Sequence, residues 1–568
     1  MRPFFQDLFV QTVPNDTKSF YHYKRNDGEY VWLTWNKVVH VVKGPVNADT
    51  YNRIILSGID GGLRVTDSSV LNKFANTVDT TNSYTLGVPA PTGVRMAVSG
   101  PVGANKESRS YVVALVREWA DGKLDLGKTS APALSPDTSY TVDVTSGQTV
   151  TLSNITIPAN VTSSSGVSKA YVYRSVVGST GTATYAWVGE FPINDTDTVY
   201  TYVDDKATSS LQESAVSLEW DTPRDDLNGL VSLNNGVMAA YVGTDVYFSY
   251  PYQPHAWPTD YRISVDYPIR GLGAFGNTVV VCTDSAPVLV LVTDPASATV
   301  KPIQQNLPCA SSNSIVNTAN GVIYATKSGL VLINSTAPQL ITDMYLTKDE
   351  WGDWGPEGLI SAYFDNTYFG LFEDAPSVYG FMYSLSNTSI GLVTINKMTQ
   401  AIWTDVEEQE LYMVMSQMDG TRAIVMFDHK NKDFRSFVWK SKKDVSPQGI
   451  STFSVARVVA AYGDSANFVP EYPYPYVPEV HTLNGVELNH LDINGPADQN
   501  YIFEFVRYRN KIRFQYLVDG ILRYDRFVFN SRPFRLPGGF RGDTYEIILT
   551  GDFPVHYVDI ATSMGELQ

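Results

Sequence analysis

The chain has 568 residues, of which 43% are hydrophobic, 18% charged and 12% aromatic, with a formal net charge of −17. That apolar content excludes a disordered chain and supplies cores for about three or four domains. The balance of 42 basic to 59 acidic residues excludes a molecule that grips nucleic acid over its whole surface, because each phosphate contact needs a cation.

Abundant β-branched residues, 35 Tyr, and short runs punctuated by 41 Gly and 31 Pro predict a mainly β chain. Cys282 and Cys309 sit in no metal-binding spacing and read as two core thiols, with a disulfide between them as the alternative. The opening "MRPFFQDLFVQTVPN" lacks the pattern of a signal peptide. No run approaches the ~18 apolar residues of a membrane helix, so no membrane insertion is expected.

Residues 1–90 read as a β segment, with strands in "YVWLTWNKVVHVV" (30–42) and "TYNRIILSGIDGGLRVTD" (50–67). "LGVPAPTG" (86–93) is a linker whose prolines favour extended backbone. From 91 to 215 Ser and Thr dominate. Short strands recur in "SYVVALVREW", "KAYVYRSVV", "TYAWVGEF" and "TVYTYVDD", which predicts a β-sandwich with a Tyr and Trp core. This order resembles fibronectin type III-like modules.

From 216 to 450 the rhythm changes to hairpin pairs with Gly and Asn turns, recurring every ~35 to 60 residues. Examples are "GLVSLNNGVMAAYVGTDVYFSY", "GLGAFGNTVVVCTDSAPVLVLVTD" and "GLISAYFDNTYFGLFED". That period suits propeller blades, and five units are visible. A sixth is expected from "YIFEFVRYRNKIRFQYLVDGILRYDRFVF" (501–529), so that residues 451–568, with N-terminal strands, close the propeller.

Few motifs suggest chemistry. "DEWGDWGPE" (349–357) offers paired carboxylates beside Trp351 and Trp354, as a glycosidase uses, but reads better as an acidic helix start. "GKLDLGKT" (122–129) fits the P-loop spacing without the strand and helix that a P-loop needs, and reads as a hairpin. "RGD" (541–543) is a three-residue match. No catalytic residue, cofactor site or metal site is expected. Residues 501–545 hold nine basic and four acidic residues. Arg507, Arg509, Lys511 and Arg513 alternate and would share one sheet face. They suit DNA contact, a protein interface or a solvated face.

"YFSYPYQPHAWPTDYRI" (247–263) puts Pro254, His255, Ala256, Trp257 and Pro258 on one corner. Gly271, Gly276 and Asn277 follow in a strand and turn. Cys309, Ser314, Ile315, Val316, Tyr324, Ala325, Gly329 and Leu330 follow in the next unit. With "LTKDEW" (346–351), "RPFRLPGGF" (532–540) and "ATSMGEL" (561–567), this pattern resembles the tail nozzle, or tail hub (tail tubular protein B-like), proteins of short-tailed bacteriophages. The likeness covers residues 1–90 and 216–568 and leaves 91–215 as an insertion. Tyr250 stands where the family pattern has an acidic residue before the proline.

The resemblance implies a β-propeller-like core with an inserted fibronectin type III-like sandwich. It implies a structural virion protein, not an enzyme, made in the host cytoplasm and placed in the short tail. Its subunits would form a ring, expected to be hexameric, below the adaptor ring. That ring would carry tail fibres or a needle or plug and conduct phage DNA through its lumen during ejection. The corner with Tyr250, Pro254, His255, Trp257 and Pro258 either locks a blade or packs against a neighbouring subunit. The alternative function is a receptor-binding or glycan-degrading tail spike or fibre, suggested by the RGD, the aromatics and the carboxylate cluster.

Overall fold

The computed structural model describes residues 3–45, 49–177, 183–211, 214–374, 378–386, 391–445, 453–462, 482–483, 486–487, 511–538 and 542–567. The chain divides into two compact units. One is Phe9–Met426, and the other combines Met1–Leu8 with Phe427–Gln568.

The larger unit is a β-propeller. Five antiparallel four-stranded sheets follow one another along the chain, each ordered as a simple meander. Blade 1 runs through His40–Lys43, Ile54–Ser57, Arg64–Thr66 and Tyr84–Thr85. Blades 2 to 5 begin with Asn228–Ser232, Ile269–Phe275, Val316–Thr318 and Leu359–Phe364. Blade 6 takes Ala401–Asp405, Glu410–Ser416 and Arg422–Met426, and its outermost strand is the N-terminal Leu8–Val13. First strands of successive blades run side by side. A two-stranded hairpin, Ser19–Lys24 with Tyr30–Trp35, fills the space between blade 6 and blade 1.

Local sequence sets this pattern. In blade 3 "TVVVCT" is a run of β-branched residues, buried from Val279 to Thr283. Its hairpin turns at Gly276–Asn277, where Gly276 has φ +57°, the conformation that a two-residue turn of right-handed twist requires at its first position. Asn277 therefore serves a turn. Tyr324 of blade 4 is fully buried, and its hydroxyl donates to the Leu307 carbonyl at 2.9 Å. Gly329 has φ +144°, and a Cβ there would lie 2.4 Å from the Thr342 hydroxyl. Asn277, Tyr324 and Gly329 thus serve the turn, the core and the close strand packing of their blades.

Between blades 1 and 2 the chain makes the fibronectin type III-like sandwich, a four-stranded and a three-stranded sheet. Tyr111, Val113 and Leu115 from one sheet meet Val150, Leu152 and Ile155 from the other in a closed core.

The smaller unit has a five-stranded and a three-stranded sheet, with Ile512, Phe514, Tyr516 and Val518 packed on Ala456, Val458 and Phe534. Within it Phe5 stacks on Phe434 at 4.4 Å, and Asp7 pairs with Arg435.

Two expectations need correction. Residues 451–568 do not close the propeller, because they belong to the smaller unit. The blades end at Met426, not at 450, and the sixth is completed by Leu8–Val13. Period-two alternation gives strands but not their sheet, so 501–529 read like another blade.

The closing strand is an edge strand, so consecutive amides point alternately into and out of the ladder. Val10→Pro and Gln11→Pro, made separately, should differ. One removes a ladder hydrogen bond and lowers the thermal unfolding midpoint by several degrees, and the other is nearly neutral. Two neutral variants would contradict closure by this strand.

Candidate functional site

The corner at 250–258 is a buried joint. His255, Ala256, Trp257 and Pro258 are buried, whereas Tyr250 and Tyr252 are exposed. The Trp257 indole N–H donates to the Pro254 carbonyl at 2.8 Å, and its backbone N–H donates to the Asp221 carbonyl at 2.8 Å. The Trp257 ring joins Ile55 and Leu63 of blade 1, Met238 and Tyr247 of blade 2, and Trp119 of the sandwich in one cluster. The corner therefore fastens three modules within the unit.

Charge is built into the same joint. Arg117 of the sandwich is 1% exposed and donates to the carbonyls of Thr85 and Leu86 at 3.0 and 2.8 Å, at the end of blade 1. Its Nε lies 3.2 Å from Asp125, which also accepts the Trp119 indole N–H at 2.7 Å. Arg53 of blade 1 lies over the Trp119 ring at 5.0 Å. His255 Nδ1 is 3.5 Å from Asp125, and neither imidazole nitrogen makes a hydrogen bond of good geometry. Burial would raise the Asp125 carboxyl, but His255, Arg117 and the Trp119 indole hold it below the usual carboxylate range. Burial pushes the His255 imidazole below its usual value, with Arg117 adding to the effect and Asp125 opposing it.

A second feature lies on the propeller axis. The hairpin and the first strands of blades 1, 2, 3, 4 and 6 surround a cavity of about 850 Å³. On one side His22 Nδ1 lies 3.0 Å from Asp405, and its ring stacks on Tyr30 and Trp32 with centroids 4.3 and 4.1 Å away. Lys43 pairs with Glu407, and Tyr30 donates to Glu408. His40 reaches cavity solvent but is walled by protein, and the resulting desolvation holds its pKa below the usual value. Across the cavity stand Asn228, Tyr241, Arg270 and Asn317. Sequence reading missed this group. Its members come from strands far apart in the chain that only ring closure assembles.

The basic face expected at 507–513 is described only in part, since Arg507 and Arg509 lie outside the described residues. Lys511 sits over the Phe527 ring at 4.8 Å, and Arg513 forms a forked pair with Asp525 at 2.6 Å. Both contacts tie up cations that would otherwise meet phosphate. The wider charge is uneven. Phe9–Met426 holds 25 basic and 41 acidic residues, and the rest of the chain 17 and 18.

Other motifs resolve into structure. Lys348–Asp353 is a short helix whose Thr347 and Glu350 form a reciprocal capping box, while Trp351 is buried and donates to the Thr326 carbonyl. "LDLGKT" is a strand, not a phosphate loop. Gly542 of the RGD is packed so tightly that a Cβ would lie 2.1 Å from Val518. Cys282 and Cys309 are free and buried. Among the described residues no helix is long and apolar enough to cross a membrane, and no cluster of three metal-binding side chains occurs.

No protein-family model matches the chain. No curated protein matches it either. Among solved structures, Hsv2 of Kluyvelomyces marxianus shares 11% identity over 47% of this chain and 69% of its own, with a TM-score of 0.23. The AfRom2 CNH domain shares 10% identity over 45% of this chain and 94% of its own, with a TM-score of 0.21. At such values the propeller assignment rests on the sheet order of the chain itself.

Two predictions follow from the joint. Trp257→Ala should cost about 3–5 kcal/mol in chemical denaturation. A cost near zero would mean the ring fastens nothing. His255 also sets a pH response. Its folded-state pKa lies below the ordinary 6.5, so the unfolded chain takes up the proton first. The stability it contributes is intact above 6.5 and falls as pH drops below it, by at most about 1.4 kcal/mol per pH unit. His255→Gln should flatten the decline between about pH 7 and about pH 5. Equal slopes for the two proteins would refute this role.

Proposed function

We propose that this chain is a structural subunit of the tail nozzle of a short-tailed bacteriophage, assembled as a ring, with six copies expected, through which DNA leaves the particle. The observation that carries the reading is the buried joint at Pro254–Pro258. Within the propeller, the residues on which the resemblance rests serve the joint, as Trp257 does, or the turns and cores of blades, as Asn277, Tyr324 and Gly329 do, so the shared pattern is architectural. A propeller whose sheet edges are short strands and a sandwich clamped by buried charge suit a part that transmits load.

The charge distribution supports the same reading. A unit with 41 acidic and 25 basic residues repels phosphates, as a conduit that must release DNA requires. Lys511 and Arg513, engaged with Phe527 and Asp525, suit contacts between proteins better than a grip on DNA. In this reading the adaptor ring lies above, and fibres or a needle dock below. The spike alternative loses its carboxylate cluster, because Glu350 is used by the helix cap.

Gold-labelled antibody against the chain, imaged on intact virions by electron microscopy, tests the proposal. Label on the tail axis below the portal is expected. Label confined to peripheral appendages, or absent from particles, would overturn it.

A further inference from the structure

The axial cavity of the propeller has no part in the nozzle reading, yet it has the make-up of a binding site. Its volume of about 850 Å³ lies in the range of roughly 300–1,000 Å³ typical of ligand pockets. Val38 and Val406 among its lining residues are 43% and 81% exposed, so the cavity opens to solvent.

The lining selects a chemical class. Most of its charges are already engaged: Lys43 pairs with Glu407 and Arg270 with Asp284, while the Asp405 carboxylate accepts the Glu407 and Glu408 N–H groups and lies 3.0 Å from His22 Nδ1. Lys24 lies over the Tyr30 ring at 5.4 Å. A strongly charged ligand would compete with these contacts. What remains is neutral and two-sided. The Asn317 carboxamide oxygen accepts the Ala274 N–H at 2.9 Å, which leaves its NH₂ group to donate. Asn228 is the reverse: its NH₂ donates to the Asp226 carbonyl at 2.9 Å and its oxygen is left to accept. The Ser232 hydroxyl adds a group that does both. Tyr30 and Trp403 supply aromatic surface on the opposite side. Fixed donors and acceptors facing aromatic rings, with the carboxylates engaged and Lys24 as the one cation of the lining held by an aromatic ring instead of an acid, match a ligand made of hydroxyls on a weakly apolar ring.

We propose that the propeller axis is a binding site for a neutral oligosaccharide of a few sugar units. The site lies wholly within Phe9–Met426 and needs no second subunit, so it stands or falls independently of the nozzle reading.

The test titrates chitotetraose, cellotetraose and maltotetraose into the full-length chain by calorimetry, with tetragalacturonate as an anionic probe of equal length. One saturable site per chain for at least one neutral probe is expected. Binding should be insensitive to added salt and weakened roughly tenfold in Asn317→Ala and Asn228→Ala, the loss of about one hydrogen bond each. Thermal unfolding like the parent's establishes that a variant is folded. Ser232→Ala replaces any variant that is not. Three results would each overturn the proposal: no saturable binding of any neutral probe, tighter binding of tetragalacturonate, or binding that folded variants leave unchanged.

Discussion

Closure of the blade ring by the strand Leu8–Val13 is the constraint on which the rest of this molecule depends. A row of antiparallel sheets ends in an open edge at each side, and an open edge offers unpaired amides and carbonyls to any passing strand. Here the chain limits the problem by bringing Leu8–Val13 to the outside of its last blade, which leaves a single short strand as that blade's edge. The pairing joins residues some 400 positions apart, so it carries a large loop-closure cost that only long-range packing can offset. Val10 and Val13 meet Val414 and Ile424 in a core that also holds Phe20 of the hairpin, so closure and hairpin placement are one packing event. The axial cavity is a consequence, since its walls are first strands that only a closed ring holds face to face.

The sandwich insertion poses a second mechanical problem, because an insertion between blades hangs from two chain crossings. The solution is a joint in which Trp257 and Trp119 supply buried area and Arg117 supplies direction. A buried guanidinium is costly unless it is partnered, and here two carbonyls accept from its terminal nitrogens while the Asp125 carboxylate, 3.2 Å from Nε, opposes its charge. Apolar contact alone would tolerate sliding. Fixed carbonyl acceptors at Thr85 and Leu86 tolerate little, so Arg117 sets the angle at which the sandwich leaves blade 1. His255 fills the remaining space as a neutral ring, and this makes the joint sensitive to acid.

Much of this architecture is legible in the sequence, and the limits of that reading are physical. "GNTVVVCT" announces a turn and a buried strand, and "DEWGDWGPE" announces an acidic helix start, because both signals are local. The proline-rich corner reads as rigid, but only the fold decides between core and interface. There Trp257 proves to be core and Tyr252 surface. Assignment of 501–529 to a blade fails for its described strands, Ile512–Val518 and Ile521–Val528, because strand alternation carries no information about partners, and 501–510 lie outside the described residues. The pairing of His22 with Asp405 spans 383 positions and has no sequence signal.

Hydrogen exchange tests ring closure most directly. The inward-pointing amides of Phe9–Val13 should exchange as slowly as those of Glu410–Ser416 in the middle of blade 6, because both open only when the ring opens. Exchange of all of Phe9–Val13 at the rate of a free chain end, with blade 6 still protected, would show that the ring holds without its closing strand and would contradict the account.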